Sequence, residues 1–187
     1  YFIIMMLIQV YKFRNFKWLA LSLIAIICFQ SVSFYDKQKT QDDAFIVFNK
    51  SRFTMIGQKN NAQLIISHNL DSLRQKTDNV VRNYKVGESI KELITDSLQS
   101  VYQFNDKNIL VIDSLGVYKG LSFRPNYVLL RNSPRLNLNR VLDSLKPDLI
   151  IVDASNYKSY VKRWKVTCID KKIPFYYTYE KGALIIE

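Results

Sequence analysis

The sequence predicts an α/β fold, a layered sandwich of strands and helices set behind an apolar helical segment. Three observations predict it. Residues 1–35 hold no acid and only three bases, and the composition changes abruptly after them. Residues 44–67 offer short β-branched and aromatic runs separated by Asn, Lys, Ser and Gly. From residue 127 onward, apolar runs of four or five residues alternate with helical periodicity, as parallel strands joined by helices do.

The apolar lead comes first. Residues 16–34 (FKWLALSLIAIICFQSVSF) carry one charge, near the start. At 1.5 Å per residue, about 19 residues nearly cross a hydrocarbon core of roughly 30 Å. Residues 18–35 are therefore expected to be a transmembrane helix, and residues 1–11 (YFIIMMLIQVY) the end of a truncated one belonging to a larger polytopic protein. A signal peptide is the rival reading, and the apolar segment ahead of the bases argues against it. Lys12, Arg14 and Lys17 in the short loop 12–17 mark the cytoplasmic side, which puts 36–187 on the extracytoplasmic side.

Residues 44–48 (AFIVF), 52–56 (RFTMI) and 63–67 (QLIIS) read as an antiparallel meander, with a turn across 57–61 (GQKNN). Residues 72–84 place Leu73, Val80, Val81 and Tyr84 on one face of a modest helix. Residues 100–105 and 108–113 form a hairpin around Asn105, Asp106 and Lys107. There follow a strand at 127–130 (YVLL), a helix at 139–145 ending at Lys146-Pro147, and a strand at 149–153 (LIIVD). A helix at 157–171 carries Tyr160, Val161, Trp164 and Cys168 on one face. Strands at 175–178 and 183–186 close the chain as a hairpin turned by Gly182.

The charge balance is 27 Lys and Arg against 16 Asp and Glu, a net +11. Three of the bases and none of the acids precede residue 36, which leaves +8 on the rest. With 48% hydrophobic residues, 5 Gly and 4 Pro, disorder is excluded as the main state. Cys28 and Cys168 make no disulfide scaffold. A single histidine, His68, excludes the usual multi-His zinc site unless other ligands replace it. Composition thus argues against hydrolytic metal chemistry and leaves binding, structural and non-metal roles open.

Three stretches carry a resemblance: YVLLRNSP (127–134), VLDSLKPDLIIV (141–152) and YTYEKGALII (177–186). They resemble, in order, the strand before a His-His-Gly-Ser signature, the helix, Lys-Pro turn and strand after it, and the closing hairpin of ComEC-type competence proteins. Upstream, VFNKSRFTMI (47–56) and AQLIIS (62–67) stand where that family has Asp-Val-Gly-Gln-Gly-Asp and a strand ending in Asp-x-Gly. These proteins are polytopic inner-membrane channels for transforming single-stranded DNA. The resemblance implies a metallo-β-lactamase-like αββα sandwich on the periplasmic side of a bacterial inner membrane. It also implies single-stranded DNA, the remaining transmembrane part of the channel and other DNA-uptake components as partners.

The departures concern the metal ligands. The family's His-x-His-x-Asp-His motif has no counterpart, and Arg131, Asn132, Ser133 and Pro134 stand where His-His-Gly-Ser is expected. Ser155, Asn156, Tyr157, Lys158, Ser159 and Tyr160 replace the segment with the later histidine, and Asp113 alone matches a ligand position. A two-metal hydrolase needs several nitrogen and carboxylate ligands converging. The expectation is a sandwich lacking the metal ligands, with no catalytic residue, no metal and no cofactor.

Individual candidates carry two readings each. His68 could act as a general base, but no nucleophile can be tied to it, and a strand-end loop residue is the plainer reading. Ser133 lacks a Gly-x-Ser-x-Gly frame and reads as a turn residue. Asp113 and Asp153 follow apolar strands, where acids routinely cap loops. An all-oxygen Mg²⁺ or Ca²⁺ site around them is the metal alternative left open. Arg131, Asn132 and Arg135, with Lys158, Lys162 and Arg163, are the DNA-binding candidates, interleaved with Tyr157, Tyr160 and Trp164. The competing reading is a solvated helix face with Tyr160 and Trp164 in the core. Function is thus expected to be, in order, a non-catalytic DNA guide, a structural or docking domain, or an atypical metal-dependent nuclease.

Overall fold

The computed structural model describes residues 4, 5, 8, 11, 16–39, 42–71 and 79–187. The chain divides into two compact units, Tyr1–Gln41 and Asp42–Glu187.

In the first unit, helix α1 (Phe16–Lys39) covers the expected span at 18–35. Among the described residues, however, no helix is long and apolar enough to cross a membrane. Ser22, Gln30, Ser31 and Ser33 interrupt the apolar surface, and the helix runs on into Asp36, Lys37 and Lys39. Ser22 and Ser31 turn their hydroxyls back onto the carbonyls of Leu19 (2.8 Å) and Ile27 (2.9 Å). Most of the helix expected at 1–11, and 12–15 of the loop expected at 12–17, lie outside the described residues.

The second unit holds two five-stranded sheets. β1 (Ala44–Val47), β2 (Met55–Asn60) and β3 (Gln63–His68) form the expected antiparallel meander. Helix α2 (Asn79–Gly87) follows; residues 72–78 of the helix expected there lie outside the described residues. β4 (Glu92–Asp96) pairs parallel with β3 as an exposed edge. The second sheet begins with the expected hairpin of β5 (Val101–Phe104) and β6 (Lys107–Ile112), turned at Asn105 with φ 50°. β7 (Tyr127–Leu130), helix α3 (Leu138–Leu145), β8 (Leu149–Val152), helix α4 (Lys158–Asp170) and β9 (Phe175–Tyr177) extend it, with β6 to β9 all parallel. The short helix α5 (Thr178–Lys181) and β10 (Leu184–Ile186) end the chain.

Alternating side chains explain the layers. Phe45, Val47 and Ile56 of the first sheet meet Phe104, Ile109, Val111, Leu129 and Ile151 of the second, forming a core between the sheets. The next residues along the same strands, Ile112, Val128, Leu130, Ile150 and Val152, face the other way, onto Val141 and Leu142 of α3 and Val161, Trp164 and Cys168 of α4. On the outer face of the first sheet, Ile46, Met55, Leu64 and Ile66 pack with Val80, Val81 and Tyr84 of α2. The order is helix, sheet, sheet, helices. Strands such as LIIV are apolar throughout because both faces are covered. Helix α3 is capped by Asn137, whose side chain accepts from the Arg140 N–H, and stops at Lys146 in the left-handed region (φ 45°) just before Pro147.

Two expectations are corrected. The segment 57–61 is not a turn: β2 runs to Asn60 and the turn falls at Asn61, φ 53°. Gly57 is there for space, since a Cβ would lie 2.8 Å from Cε2 of Phe48. The last two strands are not a hairpin either. β9 is the edge of the second sheet beside β8, whereas β10 pairs antiparallel with β1 in the first. Gly182, φ 86°, ends α5 and lets the chain cross from one sheet to the other.

Candidate functional site

The parallel register Ile112↔Leu130↔Val152↔Tyr177 fixes what stands at the end of the second sheet. The next residues of the four segments, Asp113, Arg131, Asp153 and Thr178, form a row across it. Because the registered residues pack against the helices, the row turns toward the first sheet.

Asp153 is fully buried in this row and heavily bonded. Its Oδ2 accepts from Thr54 Oγ1 at 2.5 Å. Its Oδ1 accepts from Ser155 Oγ (2.5 Å), the Ser155 N–H (3.1 Å) and Asn156 Nδ2 (2.9 Å). Asn156 Nδ2 also donates to the Leu130 carbonyl at 2.7 Å, and its Oδ1 accepts from the Ser133 N–H at 2.7 Å. The Asn132 N–H donates to Ser155 Oγ (2.8 Å), and the Tyr157 N–H to Ser133 Oγ (2.7 Å). Asn132 and Ser133 adopt left-handed φ values of 53° and 52°, which turn both N–H groups inward. Ser133 is a turn residue, as the plainer reading expected. Thr54 is held in turn by Asn69, whose Oδ1 accepts the Thr54 N–H at 2.9 Å. Burial pushes the Asp153 carboxyl up to about 6 against the hydrogen bonds of Ser155 and Thr54 and the charge of Arg131, which pull it down.

This donor set does not fit the two-metal centre that the resemblance implies for the family. One buried carboxylate is present, both its oxygens receive hydrogen bonds, and a guanidinium lies near it. Among the described residues, no three His, Cys, Asp or Glu side chains are grouped to hold a metal ion. Asp113 accepts the Leu115 N–H at 2.9 Å, closing its own turn. His68 ends β3; its Nδ1 accepts the Leu70 N–H at 3.1 Å.

A second arrangement is open and basic. A groove of about 520 Å³ lies between residues 135–139 and α4, with Arg135, Tyr160 and Arg163 along it. The Arg163 guanidinium sits over the Tyr160 ring at 4.6 Å, and Tyr160 packs edge-on against Trp164 at 5.6 Å. Trp164 is buried and serves the core, as the competing reading held, while Tyr160 is half-buried. Of the DNA-binding candidates, the groove brings Arg135 and Arg163 together. Lys162 is exposed on α4, Lys158 lies over the Tyr179 ring at 5.1 Å, and Arg131 and Asn132 stand at the end of β7. A further open groove, about 600 Å³, carries Lys119, Arg124 and Lys146, which the sequence reading did not single out.

Sequence reasoning also missed Thr54, Ser155 and Asn156. Polar residues directly after an apolar strand were the signal for the last two; Thr54 had none, since its partner is 99 residues away.

A family model described as the ComEC C-terminal domain matches residues 45–187, nearly the whole second unit. No curated protein and no solved structure matches the chain. With most of its length aligned, the chain belongs to the ComEC C-terminal domain family.

Proposed function

We propose that the second unit guides transforming single-stranded DNA at the periplasmic mouth of an inner-membrane channel, holding the strand by charge without cutting it. The observation that carries this reading is the open groove where Arg135 and Arg163 converge beside the half-buried Tyr160 ring. Two guanidiniums neutralise neighbouring phosphates, and an aromatic face stacks an unpaired base without demanding a sequence. The net charge of +11 attracts a polyanion from a distance.

A non-catalytic role is supported by the end of the second sheet. Its buried acid is engaged by Thr54, Ser155 and Asn156, so the carboxylate is committed to holding loops together. The four layers are read as a degenerate metallo-β-lactamase-like sandwich in which hydrogen bonds occupy the place of metal ligands. The periplasmic location rests on the bases Lys12, Arg14 and Lys17.

The test is a salt titration of labelled single-stranded DNA against the full chain, with and without Mn²⁺, the same samples then run on a gel. Binding that weakens steeply with salt while the DNA stays intact is expected. No binding at low salt overturns the guide in favour of a structural or docking domain. Metal-dependent cleavage that persists through repurification and is lost in Asp113→Asn overturns the non-catalytic reading.

A further inference from the structure

Beside the row of strand-end residues lies a cavity of about 300 Å³, more enclosed than the basic grooves, between the β5–β6 edge and the loop after β6. Its walls include Leu98, Leu115, Val117 and Leu121, with Asp113 and Arg131 as its charged residues. Leu115 and Val117 are 79% and 68% exposed, two apolar side chains left in water on either side of Gly116. The loop that carries them is tied down: the N–H groups of Leu115 and Gly116 donate to Asp113 Oδ1 and to its carbonyl, both at 2.9 Å. Arg131 Nε is buried and has no hydrogen-bond partner, a donor that lacks an acceptor.

We infer that this cavity takes a nucleobase of the strand, a contact separate from the phosphate contacts of the Arg135–Arg163 groove; the inference rests on the single-strand guide reading. The chemistry selects the ligand class. A phosphate entering beside Arg131 meets the Asp113 carboxylate and is repelled. A neutral heterocycle whose edge carries both an N–H and a carbonyl satisfies the acid and the guanidinium together, and its faces cover the exposed Leu115 and Val117. The volume falls at the small end of ligand pockets, roughly 300 to 1,000 Å³. Residues 114–142 supply five bases and no acid, which draws the backbone of the strand to this side.

The experiment compares two oligonucleotides of equal length and charge, a mixed-sequence single strand and an abasic strand with tetrahydrofuran residues, by fluorescence anisotropy on the full chain. The natural strand is expected to bind roughly tenfold tighter than the abasic one. The Leu115→Ala, Val117→Ala double variant, altered only at exposed positions, is expected to erase that difference and leave abasic binding unchanged. Equal binding of the two strands by the parent protein overturns the base pocket and leaves the guide standing. A difference that persists in the double variant also overturns it, because the bases are then read elsewhere. Failure of both strands to bind overturns the pocket and the guide together.

Discussion

Thr54 and Asp153 tie the two sheets together: the Thr54 hydroxyl, just before β2, donates at 2.5 Å to the carboxylate that follows β8, 99 residues away in sequence. Both side chains are fully buried. Removing the donor leaves a buried oxygen with one partner fewer. Thr54→Val, close in shape, is expected to lower stability by about 1–3 kcal/mol, measured by urea denaturation at neutral pH.

The same carboxylate gives stability a pH dependence of defined sign. Asp153 is raised from 3.8 to about 6 in the folded state, so the native protein holds this proton more tightly than the unfolded chain. Its contribution is fully present below about pH 4 and is lost as pH rises through about 6, by roughly 3 kcal/mol in all. Asp153→Asn should remove this component. Denaturation of parent and variant at several pH values between 4 and 7.5 checks it; parallel curves would contradict the assignment.

Gly57 is a packing residue. Gly57→Ala places a methyl 2.8 Å from the Phe48 ring and 3.2 Å from Leu64 Cδ1. The expected loss is about 1–3 kcal/mol, as for other overpacked cores. Adding Phe48→Leu should recover part of it, and thermal melts of the single and double variants read the outcome.

The groove predicts a change in salt dependence. Arg135→Gln with Arg163→Gln should flatten the slope of log affinity against log salt by about two, one for each lost phosphate contact. The fold should hold, because both side chains are exposed. Fluorescence anisotropy across a salt series measures it.

Much of the second unit is legible in the sequence where periodicity and turn chemistry agree. YVLL and LIIV stand out as doubly buried strands, the Asn105 turn marks a hairpin, and Lys146-Pro147 stops α3. Legibility fails where a residue answers to a distant neighbour. Gly57 resembles a turn glycine until Phe48 is seen beside it. β4, exposed at every position, carries no hydrophobic alternation and exists by pairing with β3. Of the basic candidates, only the packing of α4 beside residues 135–139 selects Arg135 and Arg163.

The sequence by itself determined the layered α/β class, the parallel second half, the excess of positive charge and the scarcity of imidazole ligands. These follow from local pattern and composition, which need no knowledge of what touches what. Tertiary structure alone decided that the last two strands serve different sheets, and that Thr54, Ser155 and Asn156 converge on Asp153. Strand pairing and burial of a carboxylate are long-range events, satisfied by whichever partner the fold delivers. No spacing along the chain encodes them.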